Sequence, residues 1–141
     1  MLLKDIMNKN VVVIKSDANM KEAAKIMFHK HIGSLVVVKN DKIVGIVTGG
    51  DILKAISHEK DLNITLVEEF MSGDVVVMEP ENTLDEAVKI MTTKKIKHMP
   101  IADGKKLVGI VTASDIITVE PKLVSSIANL ISVKFPGYRG G

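Results

Sequence analysis

The chain has 141 residues, and 19 Lys plus Arg against 17 Asp plus Glu give a formal charge of +2. That length suits one compact domain or two small halves sharing a core, and the near-neutral balance gives no basis for non-specific nucleic-acid binding. Cysteine is absent, which excludes disulfides, thiolate metal sites and thiol catalysis, and the four aromatics (Phe28, Phe70, Phe135, Tyr138) are too scattered for a base-stacking platform. The longest apolar runs, such as 35–38 and 44–47, fall far short of the roughly 20 residues a spanning helix needs. The first residues lack the pattern of a signal peptide. A cytoplasmic protein without membrane association is therefore expected.

A displacement of 64 residues aligns the two halves without a gap. Leu2 meets Leu66, Met7 meets Met71, and Val11-Val12-Val13 meets Val75-Val76-Val77. Ile26-Met27 meets Ile90-Met91, and Val44-Gly45-Ile46-Val47-Thr48 meets Val108-Gly109-Ile110-Val111-Thr112. Each unit reads β-α-β-β-α. A short strand is expected at 11–14 and again at 75–78. A helix follows from near Asn19, with Met20, Ala23, Ala24 and Met27 at helical spacing. In the second unit Thr83-Leu84-Asp85-Glu86 forms a capping box ahead of Leu84, Ala87, Val88 and Met91. Strands at 35–39 and 43–48 flank the turn Asn40-Asp41-Lys42, and strands at 100–102 and 107–112 flank Asp103-Gly104-Lys105. A second helix follows Thr48 and Thr112. Residues 58–65 read as a polar link, 122–133 as a helix started by Pro121 with apolar Leu123, Val124, Ile127, Leu130 and Ile131, and 135–141 as a loose end. The fold class is α+β, with units at 1–60 and 66–120 packed as one module and a C-terminal segment at 121–141.

The repeated element Gly45-Ile46-Val47-Thr48-Gly49-Gly50-Asp51-Ile52 and Gly109-Ile110-Val111-Thr112-Ala113-Ser114-Asp115-Ile116 sets a hydroxyl and a carboxylate at a strand-to-helix junction. Thr-x-x-Asp is a capping box, worth on the order of 1 kcal/mol. The same carboxylate can accept hydrogen bonds from a ribose diol, each charge-assisted bond worth roughly 1.5–3 kcal/mol. Spacing alone leaves both readings open, and one residue can serve both.

With these residues in place, the chain resembles a tandem pair of cystathionine β-synthase (CBS) domains over about residues 2–117, in register in both units. The resemblance implies a regulatory module that binds adenine nucleotides (AMP, ADP or ATP) or S-adenosylmethionine in clefts between the units. It often forms homodimers and passes a conformational change to a partner protein. By the same resemblance Asp51 and Asp115 hold ribose, Thr48 and Thr112 contact ribose or phosphate, and Ile46 and Ile110 flank adenine. Val12 is then assigned to the Asp115 cleft and Val76 to the Asp51 cleft. Lys97-His98-Met99-Pro100-Ile101 is similar to the family stretch whose basic residues meet phosphate. Its counterpart Gly33-Ser34-Leu35-Val36-Val37 lacks the basic pair and the proline. Ser114, inside the second motif, and Ser34, the counterpart of His98, complete the candidate set. The Asp115 cleft is expected to be the better phosphate site.

No nucleophile–base pair stands out, so an enzyme is not expected, nor is any cofactor beyond the ligand. His29 and His31 are two apart on a helix, the wrong spacing for a shared metal, and no metal site is expected. The alternative to a ligand sensor is a nucleotide-independent adapter that docks through the apolar tail, set against simple packing of that tail on its own domain.

Overall fold

The computed structural model describes residues 1–131, without the side chains of Asn129 and Ile131. The loose end expected at 135–141 and the apolar position expected at Ile131 lie outside what is described. The chain divides into two compact bodies. One is Val11–Val75, and the other joins Met1–Asn10 to the chain from Val76 onward. These bodies do not coincide with the expected units at 1–60 and 66–120. The segment leading into each repeat belongs to the body formed by the rest of the other repeat.

The Val11–Val75 body contains β1 (Val13–Lys15), α1 (Met20–Lys30), β2 (Ser34–Lys39), β3 (Lys42–Thr48), α2 (Gly49–Ser57) and a short α3 (Val67–Phe70). Its sheet has the order β1-β2-β3, with β1 parallel to β2 and β2 antiparallel to β3. The other body contains a 3-10 turn at Leu3–Asp5, α4 (Leu84–Lys94), β4 (His98–Asp103), β5 (Lys106–Thr112), α5 (Ala113–Val119) and α6 (Val124–Ile131). Its described sheet is the antiparallel pair β4-β5.

The strand expected at 75–78 is therefore corrected, since only an isolated bridge joins Met78 to Ile101. Proline chemistry gives the reason. In the first body the Val36 N–H donates to the Val12 carbonyl at 3.2 Å and opens the parallel ladder. The equivalent residue in the other body is Pro100, which has no N–H to give. Pairing resumes two residues on, where the Ala102 N–H donates to the Met78 carbonyl at 2.9 Å.

The two hairpins use different turns. Lys39 pairs with Lys42, and Asn40 and Asp41 both take positive φ (51° and 61°), the geometry of a type I′ turn. Asp103 pairs with Lys106 and belongs to the strand, not to the turn where it was expected. There only Gly104 takes positive φ, 63°, as in a type II′ turn. The helix starts follow the sequence. The Asn19 side chain accepts from the Glu22 N–H at 2.8 Å. Thr83 and Glu86 close a reciprocal box at 2.8 and 3.1 Å. Met20, Ala23 and Met27 fill one core, and Leu84, Ala87 and Met91 fill the other.

The tail packs on its own body. A 3-10 turn at Pro121–Leu123 precedes α6, and Ile127 and Leu130 are buried in one core with Val88 and Ile116. The link at 58–65 is less open than its polarity implied, because Thr65 is buried and its hydroxyl donates to the Asp61 carbonyl at 2.8 Å.

The lead-in segments close the free edge of each hairpin. Ser72 and Ile46 exchange two backbone bonds of 2.9 and 3.0 Å, and Asn8 and Ile110 do the same at the same lengths. Each segment lies over a glycine. A Cβ on Gly45 would stand 2.5 Å from Met71 Sδ and 2.8 Å from the Ser72 carbonyl oxygen. One on Gly109 would stand 2.5 Å from Met7 Sδ and 2.7 Å from its Cγ. Gly45→Ala is expected to destabilise the protein by about 1–3 kcal/mol in urea unfolding, as overpacking does. Gly109→Ala should cost less, because only the flexible Met7 side chain must move, and Met7→Ala should recover part of that loss.

The backbone N–H of Thr83 and then its hydroxyl lower the pKa of exposed Glu86 below the usual carboxylate value. A group whose folded pKa is depressed adds stability above its unfolded pKa and loses it as pH falls through the folded one. The Tm difference between the wild type and Glu86→Gln should thus be full near neutrality and shrink on acidification through the carboxylate range.

Candidate functional site

Both Thr-x-x-Asp elements are capping boxes in the structure, built differently. At α5 the Thr112 N–H donates to Asp115 Oδ2 at 3.0 Å, and the Asp115 N–H donates to Thr112 Oγ1 at 3.2 Å. At α2 the Thr48 N–H donates to Asp51 Oδ2 at 2.8 Å, and the Thr48 hydroxyl donates to the same oxygen at 3.2 Å. Each carboxylate is half-buried and commits Oδ2 to its cap, while Oδ1 takes no part in it. Capping and a ligand contact are thus compatible at both positions.

The hairpins bring the remaining candidates to the same place. His98 pairs directly with Thr112 across β4 and β5, and the Ala113 N–H donates to the Lys97 carbonyl at 2.9 Å. Lys97, His98, Thr112, Ser114 and Asp115 therefore gather where β5 becomes α5, all half-buried except the exposed Ser114. In the other body Ser34 pairs with Thr48, and the Gly49 N–H donates to the Gly33 carbonyl at 3.3 Å. Gly33 and Ser34 occupy the positions of Lys97 and His98, so this second cluster has no cation from that stretch.

Ile46 and Ile110 have their backbone groups committed to Ser72 and Asn8, which leaves only their side chains for a ligand. Ile46 is buried and Ile110 half-buried. Val12 lies beside Val36, which pairs with Ile46, all within the Val11–Val75 body. Val76 is half-buried two residues before the Met78 bridge in the other body. Composition and spacing gave no sign that Met7, Asn8, Met71 and Ser72 support the motif strands. The matched positions of the two methionines and two glycines in the repeat are the signal that could have shown it.

Two shallow depressions mark the Val11–Val75 body, of about 440 and 500 Å³. The first is lined by Lys15, Asp17, Lys39 and Asp41 among others, the second by Val13, Glu22 and Ile26. Neither includes Ser34, Thr48 or Asp51. Among the described residues no group of His, Cys, Asp and Glu could hold a metal ion, and no helix is long and apolar enough to cross a membrane.

The sequence matches the CBS domain family model twice, over residues 3–58 and 67–122. It is 36% identical over 126 residues to the uncharacterized protein MK0525 of Methanopyrus kandleri, covering 87% of this chain and 64% of that one. It is also 36% identical over 116 residues to the homoserine O-acetyltransferase of Methanohalobium evestigatum, covering 81% of this chain and 23% of that enzyme. The chain thus spans less than two thirds of either relative. Among solved structures, the CBS domain pair of protein MJ0100, in complex with 5′-methylthioadenosine and S-adenosyl-L-methionine, is 32% identical with a TM-score of 0.79. That match covers 86% of this chain and 97% of the other. A CBS-domain protein from Burkholderia ambifaria is 34% identical with a TM-score of 0.74, covering 80% and 85%. With both repeats matched in sequence and in fold, the chain belongs to the CBS domain family and carries two such domains in tandem.

Proposed function

We propose that this protein is a regulatory module that reversibly binds an adenine nucleotide, without chemistry, and relays its occupancy to a partner protein. The observation that carries the reading is the convergence of Lys97, His98, Thr112 and Asp115 at the β5–α5 junction. Asp115 caps its helix with one oxygen and offers the other to a ribose hydroxyl. Thr112 stands beside it, Lys97 supplies positive charge for phosphate, and His98 supplies a ring N–H donor. The Thr48–Asp51 cluster has the same ribose-type pair with neutral Gly33 and Ser34 beside it. It suits an uncharged nucleoside better than a triphosphate.

A second reading is specifically favoured by the MJ0100 neighbour, whose two bound molecules are both adenosyl compounds without phosphate. S-adenosylmethionine would use the same ribose carboxylate and gain nothing from the basic pair. Burial of Ile127 and Leu130 in the core of their own body supports packing of the tail there over its use as the adapter's docking element.

Calorimetric titration with AMP, ADP, ATP, adenosine and S-adenosylmethionine tests these readings. Asp115→Ala should weaken the bound nucleotide about tenfold or more, the equivalent of a charge-assisted bond of roughly 1.5–3 kcal/mol. It should also lower stability by about 1 kcal/mol through the lost cap. Asp115→Asn, which keeps a capping acceptor, should lose affinity with little loss of stability. Unchanged affinity in both variants would remove the ribose assignment. Lys97→Ala combined with His98→Ala should cost ATP affinity more than adenosine affinity. Equal losses would refute a phosphate role, and tight S-adenosylmethionine binding unaffected by the double variant would select the second reading.

A further inference from the structure

Glu68 and Lys4 hold equivalent places in the two bodies. The Glu68 N–H donates to the Ser16 carbonyl at 3.0 Å, and the Lys4 N–H donates to the Pro80 carbonyl at the same length. Beyond that shared backbone bond the side chains differ. Lys4 Nζ lies 3.2 Å from Glu81 Oε1, an ion pair that sits next to Pro80. The corresponding residues of the Val11–Val75 body are Glu68 and Asp17, two acids that cannot pair, next to Ser16.

Ser16 is only 4% exposed. Its N–H donates to the Val38 carbonyl at 3.0 Å and its carbonyl accepts from Glu68, so its hydroxyl is the polar group left over. Among the described residues no protein group bonds that hydroxyl, and Ser16 lines the depression of about 440 Å³. Thr65, the other buried polar residue, has its hydroxyl bonded to the Asp61 carbonyl. A buried hydroxyl without a protein partner is the exception in folded chains and calls for a reason. Asp17, Asp41 and Glu68 line the same depression with Lys15 and Lys39. Among the described residues none of these five charges forms an ion pair, and no set of carboxylates is arranged to hold a metal ion. Four of the five change sign in the other repeat, where Glu79, Asp103, Lys105 and Lys4 replace Lys15, Lys39, Asp41 and Glu68. The shared fold therefore does not require this charge pattern.

We propose that this depression binds a small zwitterion carrying both an ammonium and a carboxylate group, the chemistry of a free amino acid. The ammonium meets Asp17 and Glu68 as Lys4 Nζ meets Glu81 in the other body. The Ser16 hydroxyl accepts from the ammonium, which satisfies its lone pairs. Lys15 and Lys39 donate to the carboxylate. The volume falls within the roughly 300–1,000 Å³ of small-molecule sites. Lys39 and Asp41 stand at the turn end of the β2–β3 hairpin, whereas Ser34 and Thr48 pair at its other end, so the site is separate from the Thr48–Asp51 cluster.

Titration of the nitrogen-15-labelled full chain with each common L-amino acid in turn, followed by amide chemical shifts, tests the proposal. At least one amino acid should give saturable shifts at residues 15–17, 39–41 and 68. Glu68→Lys, which installs the closing ion pair of the other body, should abolish them. Ser16→Ala should weaken binding about tenfold and leave the Tm of the free protein no lower, because the hydroxyl it removes has no protein partner. A lower Tm with unchanged affinity would make Ser16 structural and remove it from the site. The N-acetyl derivative and the methyl ester of the bound amino acid should each bind at least about tenfold more weakly, one lacking the ammonium and the other the carboxylate. Methylamine bound as tightly as the amino acid would overturn the zwitterion. Absence of saturable shifts at these amides with every amino acid at millimolar concentration, or shifts that survive Glu68→Lys, would overturn the site.

Discussion

The close approach of a methionine to a glycine, made once in each body, is the constraint on which the other features rest. Met71 lies over Gly45 and Met7 over Gly109 at distances that admit no Cβ. That approach lets Ser72 and Asn8 bond the backbones of Ile46 and Ile110. An uncovered edge strand presents unpaired N–H and C=O groups and invites pairing with another chain. Here the lead-in segment satisfies those groups instead. Two residues beyond each isoleucine stands the capping threonine, so the geometry of the candidate site is anchored by the same contact.

This contact also explains why the compact bodies differ from the repeats. Each lead-in segment has hydrogen-bond partners on the other repeat, both on its hairpin and ahead of its first helix. Leu3 and Lys4 donate to Asn82 and Pro80, and Val67 and Glu68 donate to the equivalent Ala18 and Ser16. A repeat cut out at its sequence boundary would leave its hairpin edge bare and its lead-in segment without a partner. The duplication is thus structurally interdependent, although nothing in the periodicity of either half requires it.

Against this shared frame, the substitutions between repeats acquire physical meaning. Replacing Val36 by Pro100 removes one donor and shortens a strand to a bridge. Lys97 and His98 in place of Gly33 and Ser34 put a lysine and an imidazole at one strand-to-helix junction and leave the other without either. The tail adds α6 to one helix pair only, burying Ile116 where Ile52 stays half-exposed. The two halves diverge at these positions, while Thr48–Asp51 and Thr112–Asp115 keep their caps.

Local rules made much of the architecture legible. The caps at Asn19 and Thr83, the apolar faces of α1 and α4, the hairpin positions and the duplicated junction all follow from interactions within a few residues, which the sequence states directly. The candidate carboxylates were legible for the same reason, since threonine and aspartate three apart at a helix start hold each other. Tertiary structure alone decided the rest: which repeat each lead-in segment covers, that Gly45 and Gly109 serve a methionine, that Ile127 and Leu130 of the tail are buried, and that Ile52 on the other helix pair is not. Those outcomes depend on contacts between residues far apart in the chain, such as Met7 with Gly109 and Ile127 with the α4–α5 core. Periodicity can show that a face is apolar, but only packing determines what covers it.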